Sequence, residues 1–150
     1  MGRTMSALPN LFELLMHVRS SARDDFSGVG LIVYRDLASL PTYPLRPKLP
    51  IRPGQPVTEV ILNLASYTNP HHDGFHLLTE DLKLTHSCQY LSPPIDNTIR
   101  IQEPDRIGAR YMTALFASQM SAVVAAGIVS VDRSIRVFER GELCFEEGLC

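Results

Sequence analysis

Two short stretches of this chain carry side chains suited to chemistry on a phosphate. The first is Arg106-Ile107-Gly108-Ala109-Arg110-Tyr111-Met112-Thr113, at the predicted entrance of a helix. A helix N-terminus presents backbone N–H groups without intrahelical partners and a partial positive charge, so a glycine-opened turn with arginine and threonine donors suits an anion. Arg110 offers a bidentate guanidinium fork and Thr113 a hydroxyl. Gly-x-Arg before a helix also serves simple capping and surface charge, and the residues alone leave both readings open. The second stretch is His71-His72-Asp73-Gly74-Phe75-His76. A carboxylate such as Asp73 could hold Mg²⁺ or Mn²⁺, together with His71 or His72, or orient a hydroxyl for attack on a phosphate. The bland alternative is a loop of exposed histidines around an Asp-Gly turn. Phe75 either stacks on a base or fills core, and the isolated His86 reads as structural.

The elements that must position these residues follow from periodicity. Asn10 and Glu13 have capping-box spacing, and apolar positions from Leu11 to Val18 recur at helical intervals, predicting a helix over Leu11 to Arg19. Gly28 to Tyr34 reads as a buried strand. Prolines at 41, 44, 47, 50, 53 and 56 keep a strict period of three, the turn of a polyproline II helix. The belt 40–56 therefore can be neither helix nor central strand, and is read as a structureless strap or arm over the surface. Val57, Val60, Ile61 and Leu64 predict an amphipathic helix with Pro56 at its start, ending before Asn69-Pro70. Phe75 to Leu84 predicts a hairpin turning at Thr79-Glu80-Asp81. The last and longest helix is predicted over Ala109 to Ala126 with Gly127 as its cap, followed by strands at Ile128 to Val131 and Ile135 to Phe138, closed by Gly141. Helices alternating with strands indicate an α/β fold, a mixed central sheet flanked by helices.

Length and composition fit one domain over 1–150, with the proline belt at 40–56 and the motif-bearing part at 57–141. A formal charge of −2, with only Lys48 and Lys83 as lysines, argues against a nucleic acid polymer as partner. No apolar run reaches the roughly 20 residues that span a bilayer, so no membrane partner is expected and the location is read as cytoplasmic. Cys88, Cys144 and Cys150 are too few and too irregular for a disulfide framework.

Taken together and in order, the two stretches resemble the diadenylate cyclase family. Its domains carry an Asp-Gly-Ala motif at the start of a hairpin strand. Downstream comes Gly-(Thr/Ala)-Arg-His-Arg-(Thr/Ala)-Ala at a helix start, then a Val-Ser-Glu segment and a final strand. This chain offers Asp73-Gly74-Phe75, then Gly108-Ala109-Arg110-Tyr111-Met112-Thr113-Ala114, then Val129-Ser130-Val131 and Ile135 to Gly141. The resemblance implies a nucleotide site, with Asp73 on a metal and a ribose hydroxyl and the Gly108 to Thr113 segment and Ser130 about the phosphates. It further implies an adenine nucleotide or cyclic dinucleotide as ligand, Mg²⁺ or Mn²⁺ as cofactor, and a homodimer or a fused effector domain as partner.

The departures bear on turnover. Tyr111 and Met112 stand where the family has histidine and a second arginine, Phe75 where it has alanine, and Val131 where glutamate is usual. Methionine donates nothing to a phosphate, and tyrosine donates one neutral hydrogen bond. Loss of a single transition-state donor typically costs about 3–4 kcal/mol. The expected function is therefore a nucleotide sensor with weak or no turnover. Two alternatives stand beside it: an active diadenylate cyclase or related nucleotidyltransferase, and a non-enzymatic interaction domain whose working surface is the proline belt.

Overall fold

The computed structural model describes residues 3–50, 52–101 and 107–148, with side chains from Leu8 onward. Arg106 and Cys150 lie outside the described residues. Seven strands form one mixed sheet: β1 (Val29–Tyr34), β2 (Thr42–Pro44), β3 (Phe75–Leu78), β4 (Leu84–Leu91), β5 (Val123–Val129), β6 (Ile135–Glu139) and β7 (Glu142–Glu147). Their spatial order is β2-β4-β3-β1-β5-β6-β7. Only β1 and β3 run parallel, with Leu31 opposite His76, and every other neighbouring pair is antiparallel. Among the described residues three α-helices flank the sheet: α1 (Arg3–Ser21), α2 (Val57–Leu64) and α3 (Ala109–Ser118).

Alternation along β1 sorts the two layers. Val29, Leu31 and Val33 point to the face covered by α1 and α2, where they meet Leu11, Leu15, Val18 and Ile61. Ile32 points the other way, to the α3 face, with Leu77, Leu115, Ile128 and Phe138. With both faces covered, the central strands read as unbroken apolar runs rather than alternating ones.

That property explains the largest difference from the sequence reading. The helix predicted to run to Ala126 ends at Ser118, and Val123-Val124-Ala125-Ala126-Gly127-Ile128-Val129 is a fully buried strand between β1 and β6. A short apolar run buried on both sides has no period that separates strand from helix. Gly127 is accordingly no helix cap. A Cβ there would come within 2.6 Å of Leu15 Cδ1, so its hydrogen lets α1 lie close on the sheet. Gly127→Ala should cost about 1–2 kcal/mol of overpacking, since the obstructing atom is a side-chain tip that can give way; urea unfolding of the two proteins measures it.

Three other expectations change. The first helix begins at Arg3, so Asn10 is interior and the Asn10–Glu13 pair is no capping box, while Pro9 sits inside the helix. The belt is not structureless throughout: Thr42 to Pro44 pair with Gln89 to Leu91 as an edge strand, the one place in a sheet that tolerates proline. Finally, β7 closes the sheet where the sequence reading placed nothing. The second helix starts at Val57 as expected but ends at Leu64, and both hairpins form, the return strand of the first starting only at Leu84 and running on to Leu91.

Candidate functional site

The parallel pair β1/β3 brings the N-terminal ends of both strands together, and the antiparallel β5 adds its C-terminal end beside them. The two chemically interesting stretches converge at this foot of the sheet. Gly28, just before β1, has φ +75, and a Cβ there would lie 2.5 Å from Arg110 Nη1, 3.0 Å from the Val129 carbonyl oxygen and 3.4 Å from the Val131 nitrogen. The guanidinium of Arg110 thus fills the space a side chain at position 28 would need. Its Nη1 donates to the Ser27 carbonyl at 3.3 Å. Burial pulls the Arg110 guanidinium below its ordinary pKa, while the Asp73 carboxylate and Tyr67 act in the opposite sense.

Arg110 stands in the first turn of α3, whose N-cap is Gly108 in extended conformation (φ −106, ψ −173) with no side-chain capping bond and no acid in the first turn. A glycine at the N-cap brings no side chain of its own to the N–H groups of the first turn. Thr113 lies three residues beyond Arg110 and so shares its helix face. Ser130 follows β5 in a tight turn, its N–H donating to the Ser134 carbonyl at 2.9 Å and its carbonyl accepting from Arg133 N–H at 2.8 Å.

Asp73 is exposed, its side chain 57% accessible, with His72 Nδ1 3.3 Å from Oδ1. The His72 ring meets Tyr67 edge-on at 5.5 Å. Gly74 adopts φ +75, and a Cβ on it would lie 2.5 Å from the Gln89 carbonyl oxygen, so glycine is required where Asp73 turns into β3. His71 is engaged elsewhere, its Nε2 pairing with the Pro47 carbonyl at 3.0 Å. Among the described residues no three His, Cys, Asp or Glu side chains converge as a metal set. The donor set that remains is Asp73 with His72. It suits an ion such as Mg²⁺, which takes one or two carboxylates and fills its shell with water and phosphate oxygens.

The foot of the sheet does not gather every predicted residue. The Phe75 ring is only 5% exposed and lies on Gly30, where a Cβ would come within 2.5 Å of it. It packs with Leu77 and Ala114 in the core, so the stacking alternative is corrected to core filling. Tyr111, one residue round the helix from Arg110, faces β6: its ring meets Phe138 at 4.9 Å and lies under the Arg136 guanidinium at 5.4 Å. Arg136 Nε in turn bonds Glu146 at 3.0 Å. Tyr111 lines a separate cleft of about 360 Å³ with Ile99 and Leu143. Burial raises its hydroxyl pKa, so Tyr111 is neutral near pH 7.

One group near the foot escaped the sequence reading, which placed His76 among loop histidines. Its ring is wholly buried, Nδ1 accepts the Cys88 N–H at 3.0 Å, and Nε2 has no hydrogen-bond partner among the described residues. Burial first, then the charges of Arg110 and His71, lower its pKa from 6.5 to about 4. His76 is buried because β3 is an inner strand covered on both faces, which its local sequence does not reveal.

No protein-family model matches the chain, and no curated protein matches it in sequence. Among solved structures, the chain is similar to a double mutant of DacA from Staphylococcus aureus, with a TM-score of 0.60 and 18% identity. The match covers 91% of this chain and 87% of that one. The fold is diadenylate cyclase-like, a mixed sheet between helical layers. No helix among the described residues is long and apolar enough to cross a membrane.

Proposed function

We propose that this chain is a nucleotide-binding sensory domain of the diadenylate cyclase type, recognising an adenine nucleotide or cyclic dinucleotide with weak or no turnover. The observation that carries this reading is Arg110. Its guanidinium is held over Gly28 by burial and by the Ser27 carbonyl, at an uncapped helix N-terminus and within electrostatic reach of Asp73. A phosphate at the start of α3 would meet the backbone N–H groups of the first turn, the Arg110 fork and the face carrying Thr113. Asp73 with His72 would hold a divalent ion against phosphate oxygens, and the charge such an ion supplies would offset that of a polyphosphate. The reading of weak turnover is supported by Tyr111 and Met112. Tyr111 packs against Phe138 and Arg136 on a neighbouring face of the helix, and methionine has no donor. Few donors beyond Arg110 and the backbone are left to stabilise charge that develops during reaction.

Thermal shift with ATP and with cyclic di-AMP, each with and without Mn²⁺, tests the proposal, because a ligand that binds only the folded state raises its melting temperature. A shift is expected with at least one of them. Arg110→Ala should weaken that ligand by about 30-fold, the equivalent of about 2 kcal/mol for a charged hydrogen-bonded contact. Unchanged affinity in the variant would remove Arg110 from the site. Sustained formation of cyclic di-AMP from ATP and Mn²⁺ would replace the sensor reading with the cyclase one.

A further inference from the structure

The period-three prolines conceal a longer unit. Pro41-Thr42-Tyr43-Pro44-Leu45-Arg46 is followed at once by Pro47-Lys48-Leu49-Pro50-Ile51-Arg52, two successive copies of Pro-x-(Tyr/Leu)-Pro-(Leu/Ile)-Arg. The copies meet different fates in the fold. The first is tied down: Thr42, Tyr43 and Pro44 pair with β4 as β2, and Leu45 N–H donates to the Cys88 carbonyl at 2.9 Å. The second leaves the sheet, and 47–50 are neither helix nor strand. Pro47, Lys48, Pro50 and Arg52 are exposed there.

This second copy is nevertheless anchored. The Pro47 carbonyl pairs with His71 Nε2 at 3.0 Å, and the half-buried Leu49 lines a cavity beside α2 with Leu62 and Ala65. Prolines three apart stack along one edge of a polyproline II turn, and that edge carries no N–H of its own. Arg46, Lys48 and Arg52 make no ion pair among the described residues, and no Asp or Glu stands between Asp36 and Glu59. In a chain of net charge −2 this is a local basic edge on a proline frame.

We propose that Pro47, Pro50 and Arg52 form a docking edge for a protein module whose groove is lined with aromatic rings and flanked by carboxylates, as in SH3-type modules. The two prolines seat between rings, and the arginine pairs with the acidic flank. Anchoring at Pro47 and Leu49 lowers the conformational entropy lost on binding, which a free peptide of the same sequence would lose in full. A single-stranded nucleic acid fits less well, since three cations are few for a phosphate track. The docking edge is independent of the nucleotide reading and stands or falls without it.

The test titrates the full chain with a purified SH3 domain selective for Pro-x-x-Pro-x-Arg, followed by isothermal calorimetry. Binding on the order of tens of micromolar is expected, as befits a small transient interface. Arg52→Glu and Pro50→Ala should each weaken it by about tenfold or more. Both positions are exposed, and an unchanged melting temperature will show that the variants fold. Absence of saturable binding at millimolar domain overturns the proposal, as does equal binding by both variants. Tighter binding of a single-stranded oligonucleotide than of the SH3 domain, lost in Arg52→Glu, also overturns it in favour of a phosphate-binding edge.

Discussion

Gly74→Ala should destabilise the protein by about 3–4 kcal/mol and lower its melting temperature by about 10 °C. Two costs add. A Cβ in the left-handed region costs about 1–2 kcal/mol, and Gly74 has φ +75. The Cβ would also lie 2.5 Å from the Gln89 carbonyl oxygen, 2.9 Å from its carbon and 3.1 Å from its nitrogen. These are backbone atoms of β4 and cannot rotate away, so strand β3 or β4 must shift, at the cost of about 1–3 kcal/mol usual for overpacking. Against a total stability of about 5–15 kcal/mol the loss is large, and for a domain of this size it converts to several degrees per unit. Gly54 supplies the control, because it has φ +81 and nothing within 4 Å of its Cβ position. Gly54→Ala should therefore cost only about 1–2 kcal/mol, the conformational part alone. Urea unfolding of both variants decides the matter; equal losses would mean that the contact with β4 contributes nothing. Because Gly74 directly follows Asp73, a shift of β3 also moves the carboxylate proposed to meet the metal.

The fold was legible in the sequence where periodicity, glycine or turn residues marked an element, including β1 and β3, which are buried on both faces. Helix α2 announced itself through Val57, Val60, Ile61 and Leu64, and the β3/β4 hairpin through Phe75, Leu77 and Leu84 around a polar turn. It became illegible in β5, whose seven buried residues carry no period and follow α3 with no glycine or proline between. The edge strand β7 failed to announce itself for the opposite reason: Glu142, Leu143, Cys144 and Phe145 are all exposed, so burial imposes no alternation. The candidate site divides in the same manner. Glycine in Asp73-Gly74 and the Gly108-Arg110 turn were readable as local chemistry. Whether the side chains converge was not, because Arg110 lies over Gly28 and Tyr111 faces Phe138 only through the register of β1, β5 and β6 about α3.

That division follows from the geometry of the helix. Arg110 and Tyr111 are neighbours in sequence, yet about 100° of helical rotation sends them to different strands. Tyr111 buries much of its ring against Phe138 and receives the Arg136 guanidinium. A tyrosine there stabilises the α3–β6 contact, whereas Arg110 retains its place over Gly28 beside Asp73. The two side chains can therefore take separate tasks within one turn of helix, packing for Tyr111 and a place over Gly28 for Arg110.

Stability should fall by about 2 kcal/mol through His76 alone as pH drops from 7.5 to 5, and by about 3 kcal/mol once it is below 4. The buried ring is held neutral, with Nδ1 accepting from Cys88 N–H and the proton on Nε2. Its pKa falls from 6.5 in the unfolded chain to about 4 in the fold, through burial and then through Arg110 and His71. Between those values the unfolded chain binds the proton and the folded protein does not. Stability is therefore full above pH 6.5, is lost as pH falls through the window from 6.5 to 4, and changes no further below it. Each pKa unit corresponds to about 1.4 kcal/mol, which sets the magnitude. Other groups titrate in the same range, so the measurement is a difference. Urea unfolding at pH 7.5 and pH 5 is compared between the protein and His76→Asn, whose amide oxygen can accept the Cys88 N–H without gaining charge. The variant should lose about 2 kcal/mol less over this interval, and equal losses in the two proteins would place the acid sensitivity elsewhere. Because Arg110 is one cause of the lowered pKa, Arg110 and His76 share one local field at the foot of the sheet, and the two cannot both carry positive charge there without cost.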